Sequence, residues 1–164
     1  HMASQAKQKE ITIKFRSAKP RPVVADDRYV TMIVENLVSN AIKYSRRGAK
    51  VRITIDSRDD AIRLSVKDSG VGIEMKDQER IFKKFDRVQN PLSHDEGGTG
   101  LGLFLARQLA RGHGGDIVVD SAIEKGSTFT LILPKVAMID NDILDMACEN
   151  KRAKSRSHER HLKQ

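Results

Sequence analysis

Apolar residues recur at helical spacing along one long segment in the first third of the chain. Between Asp27 and Tyr44 they fall three or four positions apart, which is the repeat of one helix face. Asp26 or Asp27 can cap the start by accepting hydrogen bonds from the first turn. The pattern therefore predicts a helix over Asp27 to Tyr44. Its apolar face comprises Val30, Ile33, Val34, Leu37, Val38, Ala41 and Ile42.

Alternation of polar and apolar residues predicts β-strands in other segments. Two runs flank the turn-like pair Asp59-Asp60 and predict an antiparallel hairpin, and two later runs flank Lys125-Gly126 and predict a second one. The predicted strands are Glu10 to Arg16, Val23 to Ala25, Val51 to Ile55, Ile62 to Val66, Ile117 to Asp120 and Thr128 to Leu133.

The remaining segments predict shorter helices and one loop. A charged helix is expected over Met75 to Phe85, a second helix over Gly100 to Arg111, and an amphipathic one over Val136 to Ala147. Residues 87 to 98 lack periodicity and contain Asn90-Pro91, so they predict a mobile loop. Because no β-α-β repeat emerges, the order favours an α/β (α+β) two-layer sandwich. In it, helices cover one face of a mixed, mostly antiparallel sheet.

The positive charge of the chain is concentrated at its ends. The formal net charge is +8, yet residues 1–21 hold six basic and one acidic side chain and residues 150–164 hold the same numbers. Charged segments poor in apolar residues are typical of disorder, so we expect solvated ends and no specific nucleic-acid binding. The predicted organisation is a tag or linker over 1–9, one domain over 10–135, and a partly disordered helix and basic tail over 136–164.

The cysteine count and the absence of long apolar runs indicate the expected compartment. Cys148 is the single cysteine, so no internal disulfide can form and a reducing compartment fits. No run approaches the 18 or more apolar residues of a membrane span. We therefore expect a cytoplasmic domain, either free or as the cytoplasmic part of a membrane-anchored sensor.

Glycines gather in two clusters, at 68–73 and at 97–103, and neither forms a P-loop string. The second cluster opens a predicted helix, where unpaired backbone N–H groups and the helix dipole favour an anion. Phosphate binding is therefore the physical expectation. The alternative is that both clusters are turn and cap glycines.

The long predicted helix carries two amides one turn apart, Asn36 and Asn40, followed by Lys43. An amide oxygen is a suitable Mg²⁺ ligand when substrate phosphates and water complete the shell. The alternative is that both are structural amides that bond to loop backbone.

Four strings together resemble the signature boxes of sensor histidine kinases. Residues 36–45 (NLVSNAIKYS) resemble the N box, 68–73 (DSGVGI) the G1 box, 82–85 (FKKF) the F box and 98–103 (GTGLGL) the G2 box, in the family's order. The resemblance continues through 113–115 and 126–129 and covers roughly residues 10 to 135. It implies the Bergerat ATP-binding fold that is shared with gyrase, the Hsp90 chaperones and MutL.

The resemblance also implies ATP and Mg²⁺ as cofactors and a role for each matched residue. Asn40 would ligate Mg²⁺ beside Asn36, Lys43 would contact phosphate and Tyr44 would flank the nucleotide. Asp68 would accept a hydrogen bond from the adenine amino group, which discriminates against guanine. The implied base pocket comprises Gly70, Gly72, Ile73 and Thr128, and the implied phosphate loop comprises Gly98, Thr99, Gly100, Leu101, Gly102 and Leu103. The implied catalytic residues are Asn36, Lys43, Arg80 and Arg87, the two arginines as candidates to neutralise γ-phosphate charge.

The resemblance separates a kinase from a hydrolase at one position. Hydrolytic members of the group carry a general-base glutamate where this chain has Asn36, which cannot take a proton. No histidine lies in an H-E-x-x-x-P setting, so the acceptor should sit on a separate histidine-bearing dimerisation domain, with a response regulator downstream. The isolated chain should be monomeric. The alternatives are a serine kinase of the anti-sigma type and a non-catalytic nucleotide-binding module.

Overall fold

A computed structural model describes residues 2–18, 22–86 and 99–135. The described elements are three α-helices, five strands and two 3₁₀ turns that lie between β3 and α3. In chain order they are α1 (Met2–Gln8), β1 (Thr12–Ser17), α2 (Asp27–Tyr44), β2 (Lys50–Arg58), β3 (Ala61–Lys67), the 3₁₀ turns Met75–Asp77 and Arg80–Phe82, α3 (Gly102–Gly112), β4 (Asp116–Ala122) and β5 (Gly126–Pro134).

The described strands form one five-stranded sheet in the order β1-β2-β3-β5-β4. β1 runs parallel to β2, while the other three pairings are antiparallel. The β2–β3 turn uses Asp59 and Asp60, both with positive φ, which matches the tight hairpin turns that fit the twist of two strands. The predicted mixed, mostly antiparallel sheet and both hairpins are therefore confirmed.

Helices α2 and α3 cover one face of this sheet and form the core with it. Ile33 and Leu37 of α2 are fully buried, as are Leu109 of α3 and Val66 of β3. Burying one such side chain contributes roughly 1.5–3 kcal/mol, so the inward-facing apolar positions hold the two layers together. The opposite face of the sheet is polar and includes the Ser65–Thr130 hydroxyl pair at 3.0 Å.

His113 joins the start of α2 to the end of α3. Its ring is fully buried, Nδ1 lies 2.7 Å from the Leu109 carbonyl oxygen, and Nε2 accepts the Asp26 backbone N–H at 3.2 Å. Nδ1 must therefore donate while Nε2 accepts, which is the neutral tautomer. The Asp26 side chain caps α2 by accepting from the backbone N–H groups of Arg28 and Tyr29.

Residues 2–8 differ from the expected solvated leader. They form α1, whose Ala6 is buried, and Met2 packs against the core. The expectation of a solvated leader is wrong here because α2 leaves apolar positions such as Val30 and Val34 that α1 can cover. Among the described ranges, no helix combines the length and apolar content that a bilayer crossing needs.

Two predicted elements are corrected and two lie outside the described residues. The single helix over 75–85 is wrong: two 3₁₀ turns stand there and Phe85 adopts a left-handed φ of 63°. The segment has no apolar repeat long enough to stabilise an α-helix. The strand over 23–25 reduces to a single bridge at Val24. The loop over 87–98 and the helix over 136–147 lie outside the description.

Candidate functional site

Asp68 lies directly after β3 and is only 4% exposed. Its Oδ1 accepts the backbone N–H groups of Gly70 at 2.8 Å and Ser127 at 3.2 Å. Burial raises the pKa of the Asp68 carboxyl, and these backbone hydrogen bonds oppose the rise. No residue within the described ranges donates to Oδ2. Oδ2 is not among the fully enclosed side-chain atoms that lack a partner, so it keeps contact with the surface and suits a ligand that brings its own N–H donor.

The glycines after Asp68 allow the loop to pack closely against two other elements. A Cβ on Gly70 would lie 2.2 Å from the Tyr44 carbonyl oxygen at the end of α2. A Cβ on Gly72, whose φ is +73°, would lie 2.0 Å from the Ala122 carbonyl oxygen at the end of β4. Any side chain at either position would push the loop away from the sheet.

A hydroxyl and an amide behind this loop fix its path. Ser121 Oγ accepts the Ile73 N–H at 2.9 Å, donates to the Gly126 carbonyl at 2.9 Å and lies 3.0 Å from Ser127 Oγ. Gln78 donates to the Ser121 carbonyl at 2.8 Å. Ser121, Ser127 and Gln78 were not among the residues predicted from the sequence. Alternation along β5 was the available signal for Ser127, because Ser127 and Phe129 share a strand face.

The prediction that Thr128 reaches the pocket is wrong. Thr128 pairs with Lys67 and with Asp120, so it shares their face of the sheet. Strand side chains alternate between faces, and this face is opposite to that of Asp68 and Ser127. Ser127, 7% exposed and bonded to Asp68, takes the pocket-side position.

Helix α2 brings its amides to the start of α3. Asn36 Nδ2 donates to the Met32 carbonyl at 2.8 Å, and its Oδ1 would lie 2.6 Å from a Cβ on Gly102. Asn40 follows one turn later, partly buried, and no described residue bonds to its amide. Glu35 points elsewhere, because it lines an apolar groove beside α1 with Met2.

The start of α3 exposes backbone donors. Leu101, the residue before α3, provides no side-chain cap, so the first N–H groups of this 11-residue helix remain available for an anion. Gly100 has a φ of +66°, and its carbonyl accepts the Phe85 N–H at 3.1 Å. Leu101 and Leu103 pack into or against the core, and Thr99 is exposed. Gly98 lies outside the described residues.

The three cationic residues predicted to contact phosphate, Lys43, Arg80 and Arg87, differ in their surroundings. Arg80 pairs with Asp77 at 2.6 Å and with Asp86 at 3.1 Å. Lys43 Nζ lies 5.3 Å from the centre of the Tyr44 ring. Arg87 lies outside the described residues, so its role and those of Lys43 and Arg80 stay predictions. Within the described part of the chain, no three His, Cys, Asp or Glu side chains gather into a metal site.

Relatives in known sequences share these elements. Residues 25–137 match the family described as histidine kinase-, DNA gyrase B-, and HSP90-like ATPases. Sensor histidine kinase WalK of Bacillus subtilis is 43% identical over 114 residues, which are 68% of this chain and 19% of WalK. Sensor histidine kinase RppB of Synechocystis is 44% identical over 102 residues, 62% of this chain and 22% of RppB. The chain thus spans about a fifth of these relatives.

Solved structures share the fold. The catalytic domain of histidine kinase ThkA has a TM-score of 0.70 at 29% identity, covering 82% of this chain and 86% of that one. Full-length ShkA in complex with AMPPNP has a TM-score of 0.72 at 28% identity, covering 84% of this chain and 28% of ShkA. The chain belongs to the family of histidine kinase-, DNA gyrase B- and HSP90-like ATPases, and within it resembles the catalytic domains of sensor histidine kinases.

Proposed function

We propose that this chain binds ATP with Mg²⁺ and is the catalytic domain of a two-component sensor histidine kinase. The observation that carries the proposal is the buried Asp68 carboxylate, whose Oδ1 is held by two backbone N–H groups while Oδ2 lacks a described donor. The adenine amino group is a donor that fits Oδ2, whereas guanine would present a carbonyl there. ShkA, a structural neighbour, was solved with AMPPNP bound.

The amides of α2 and the start of α3 suit the phosphate end of the nucleotide. Asn36 meets Gly102, so the uncapped N–H groups of α3 lie beside the amide-bearing face of α2. Asn40 would hold Mg²⁺ through its amide oxygen, and the phosphates would supply further oxygens. Bound Mg²⁺ would neutralise phosphate charge during transfer. Gly100 and Gly102 would let phosphate approach the backbone.

The acceptor would be a histidine on a separate dimerisation domain. His113 cannot serve, because its ring is fully buried and both nitrogens are occupied by backbone groups. Asn36 stands where a hydrolase needs a base, so water is poorly activated, while a neutral imidazole needs mainly positioning. ThkA was solved in complex with the response regulator protein TrrA, which supports a response regulator as downstream partner.

The test adds γ-labelled ATP to the chain with and without a separately purified histidine-bearing dimerisation domain. We expect label only on the added domain, only with Mg²⁺, and with the acid lability of a phosphohistidine. Asn40→Ala should remove the Mg²⁺-dependent gain in ATP affinity while leaving metal-free binding intact. Acid-stable label on serine would favour the anti-sigma type, and failure to bind ATP would refute the proposal.

A further inference from the structure

Strand β1 lies at one edge of the sheet, and the described residues leave that edge uncovered. All six residues of β1 are exposed, including Ile13 at 43% and Phe15 at 63%. Ile13 pairs with Val51 and Phe15 with Ile53, so both lie on the core-facing side of the sheet. Two large apolar side chains therefore stay in contact with solvent beside the core.

The outer backbone of β1 is open to a further strand. The N–H groups of Thr12 and Ala18 donate to carbonyl groups in or directly before β2, so the even-numbered residues of β1 face β2. The N–H and C=O groups of Ile13 and Phe15 consequently point away from β2. An edge of this kind is a template for an added strand, which would gain main-chain hydrogen bonds there.

The opposite face of the same edge carries a row of cations. Lys14 pairs in register with Arg52, and Arg52 with Lys67, so three exposed cations lie side by side across three strands. Arg16 follows Lys14 on the same face and is exposed too. No carboxylate in the described ranges forms an ion pair with these four cations, whereas every other arginine there has an acidic partner. Because like charges opposite one another destabilise a sheet, an acidic neighbour beyond β1 would relieve the repulsion.

The two faces of β1 together define the strand that would fit beside it. Successive side chains of a strand point to opposite faces, so an added strand presents every second residue to Ile13 and Phe15 and the intervening ones to Lys14 and Arg16. The first set should be apolar and the second acidic. In an antiparallel pairing, the residues opposite Lys14 and Arg16 form the non-hydrogen-bonded pairs, whose side chains lie closest together. That arrangement favours ion pairs with both cations.

A second copy of β1 and a nucleic acid fit this edge less well. Antiparallel pairing of β1 with itself would place Lys14 and Arg16 beside the same two cations of the other copy, and cations at an edge deter such pairing. A nucleic acid would satisfy the cations. It would leave Ile13 and Phe15 exposed and the outward N–H and C=O groups of β1 unused.

We propose that β1 is a docking edge for an extended segment of a partner protein in which apolar and acidic residues alternate. The segment would join the sheet as an antiparallel strand next to β1. Main-chain hydrogen bonds would provide affinity, and the alternation of apolar and acidic side chains would provide specificity. The proposal does not depend on nucleotide binding.

The test adds the capped peptide Thr-Val-Glu-Val-Glu-Val-Thr to the ¹⁵N-labelled full-length chain and follows amide exchange with solvent. We expect the amides of Ile13 and Phe15 to exchange rapidly in the free chain and slowly with the peptide, while that of Lys14, which faces β2, changes little. The same peptide with lysine in place of glutamate should not bind. The proposal is overturned if both amides are already protected in the free chain, or if the peptide leaves their exchange unchanged.

A second pair of peptides separates strand addition from charge attraction. Methylation of the central valine nitrogen removes the N–H that would bond to the Phe15 carbonyl, so Kd should rise roughly 2- to 12-fold for the lost hydrogen bond alone. Methylation of an adjacent glutamate nitrogen, which would point away from β1, is the matched control and should have little effect. Equal effects of the two methyl groups would mean that the cations attract any polyanion, and would overturn the proposal.

Exchanging the charges tests the side-chain part of the recognition. Lys14→Glu with Arg16→Glu should raise the Kd of the glutamate peptide roughly 2- to 30-fold, as the loss of two cross-strand ion pairs implies, and should allow the lysine peptide to bind. Lys83→Glu with Lys125→Glu alters two exposed lysines away from β1 and should leave both affinities unchanged. An unchanged preference for glutamate in the β1 variant would overturn the proposal.

Discussion

The two ends of the candidate nucleotide site are built differently. At the base end, Asp68 and Ser127 are buried and joined by hydrogen bonds within the protein. At the phosphate end, Asn40 has no described partner and the first turn of α3 lacks a side-chain cap. Hydrogen bonds within the protein therefore fix the side chains at the base end. At the phosphate end, the polar groups would find their partners on the ligand.

The largest expected effect comes from removing the charge of Asp68. In Asp68→Asn the amide oxygen can still accept from Gly70 and Ser127, but an NH₂ group would replace Oδ2 and meet the adenine donor. Losing a hydrogen bond to a charged group costs about 1.5–3 kcal/mol, so ATP affinity should fall roughly 10- to 150-fold. Calorimetric titration measures this. Asp120→Asn, on the opposite face, is the matched control and should bind ATP normally.

The contact between α2 and α3 provides the next test. Gly102→Ala would place a Cβ 2.6 Å from Asn36 Oδ1 and should destabilise the fold by about 1–3 kcal/mol through overpacking. With Asn36→Ala the clash is absent, so the same change should be neutral or stabilise by up to about 1 kcal/mol through helix propensity. Urea unfolding of the parent, the two single variants and the double variant measures the coupling. Equal costs in both backgrounds would contradict the contact.

Ser121→Ala tests the support behind the base end. The change leaves the Ile73 N–H and the Gly126 carbonyl without their hydroxyl partner, which should cost about 1–3 kcal/mol of stability. ATP affinity should fall because the loop carrying Gly70 and Gly72 loosens, while its Mg²⁺ dependence stays unchanged. Ser65→Ala removes a hydroxyl pair on the polar face and is the control. An altered Mg²⁺ dependence in Ser121→Ala would contradict the separation of the two ends.

The smallest effect is a pH dependence of stability from Asp68. Because folding raises the pKa of this carboxyl, the folded chain holds more protons than the unfolded chain between the two pKa values. The contribution of Asp68 to the free energy of unfolding therefore decreases as pH rises through that window and is constant above it. Asp68→Asn should remove this decrease, so that the variant is more stable than the parent at neutral pH and loses that advantage in acid. Thermal unfolding from acid to neutral pH measures it.

The long helix and most strands could be predicted from the sequence, whereas α1 and several residues of the candidate site could not. The apolar repeat of α2 and the alternation of β2, β3, β4 and β5 are strong because one face of each is buried. α1 was missed because its burial depends on α2. The glycines after Asp68 marked its loop in the sequence. The role of Ser121 could not be predicted, because it depends on a contact with Ile73, which is distant in sequence. The resemblance implied Thr128, whereas the alternation of side chains along β5 puts its neighbour Ser127 on the same face as Asp68.

His113 connects α2 and α3 through hydrogen bonds at both of its ring nitrogens. The imidazole ties the beginning of α2 to the end of α3, and Gly102 lies eleven residues away along α3, about 16.5 Å. A tilt of α3 by about 5° around that point would shift Gly102 by only about 1.4 Å over this lever arm. Any adjustment between the two helices would therefore be smallest at the imidazole and largest where Asn36 faces Gly102.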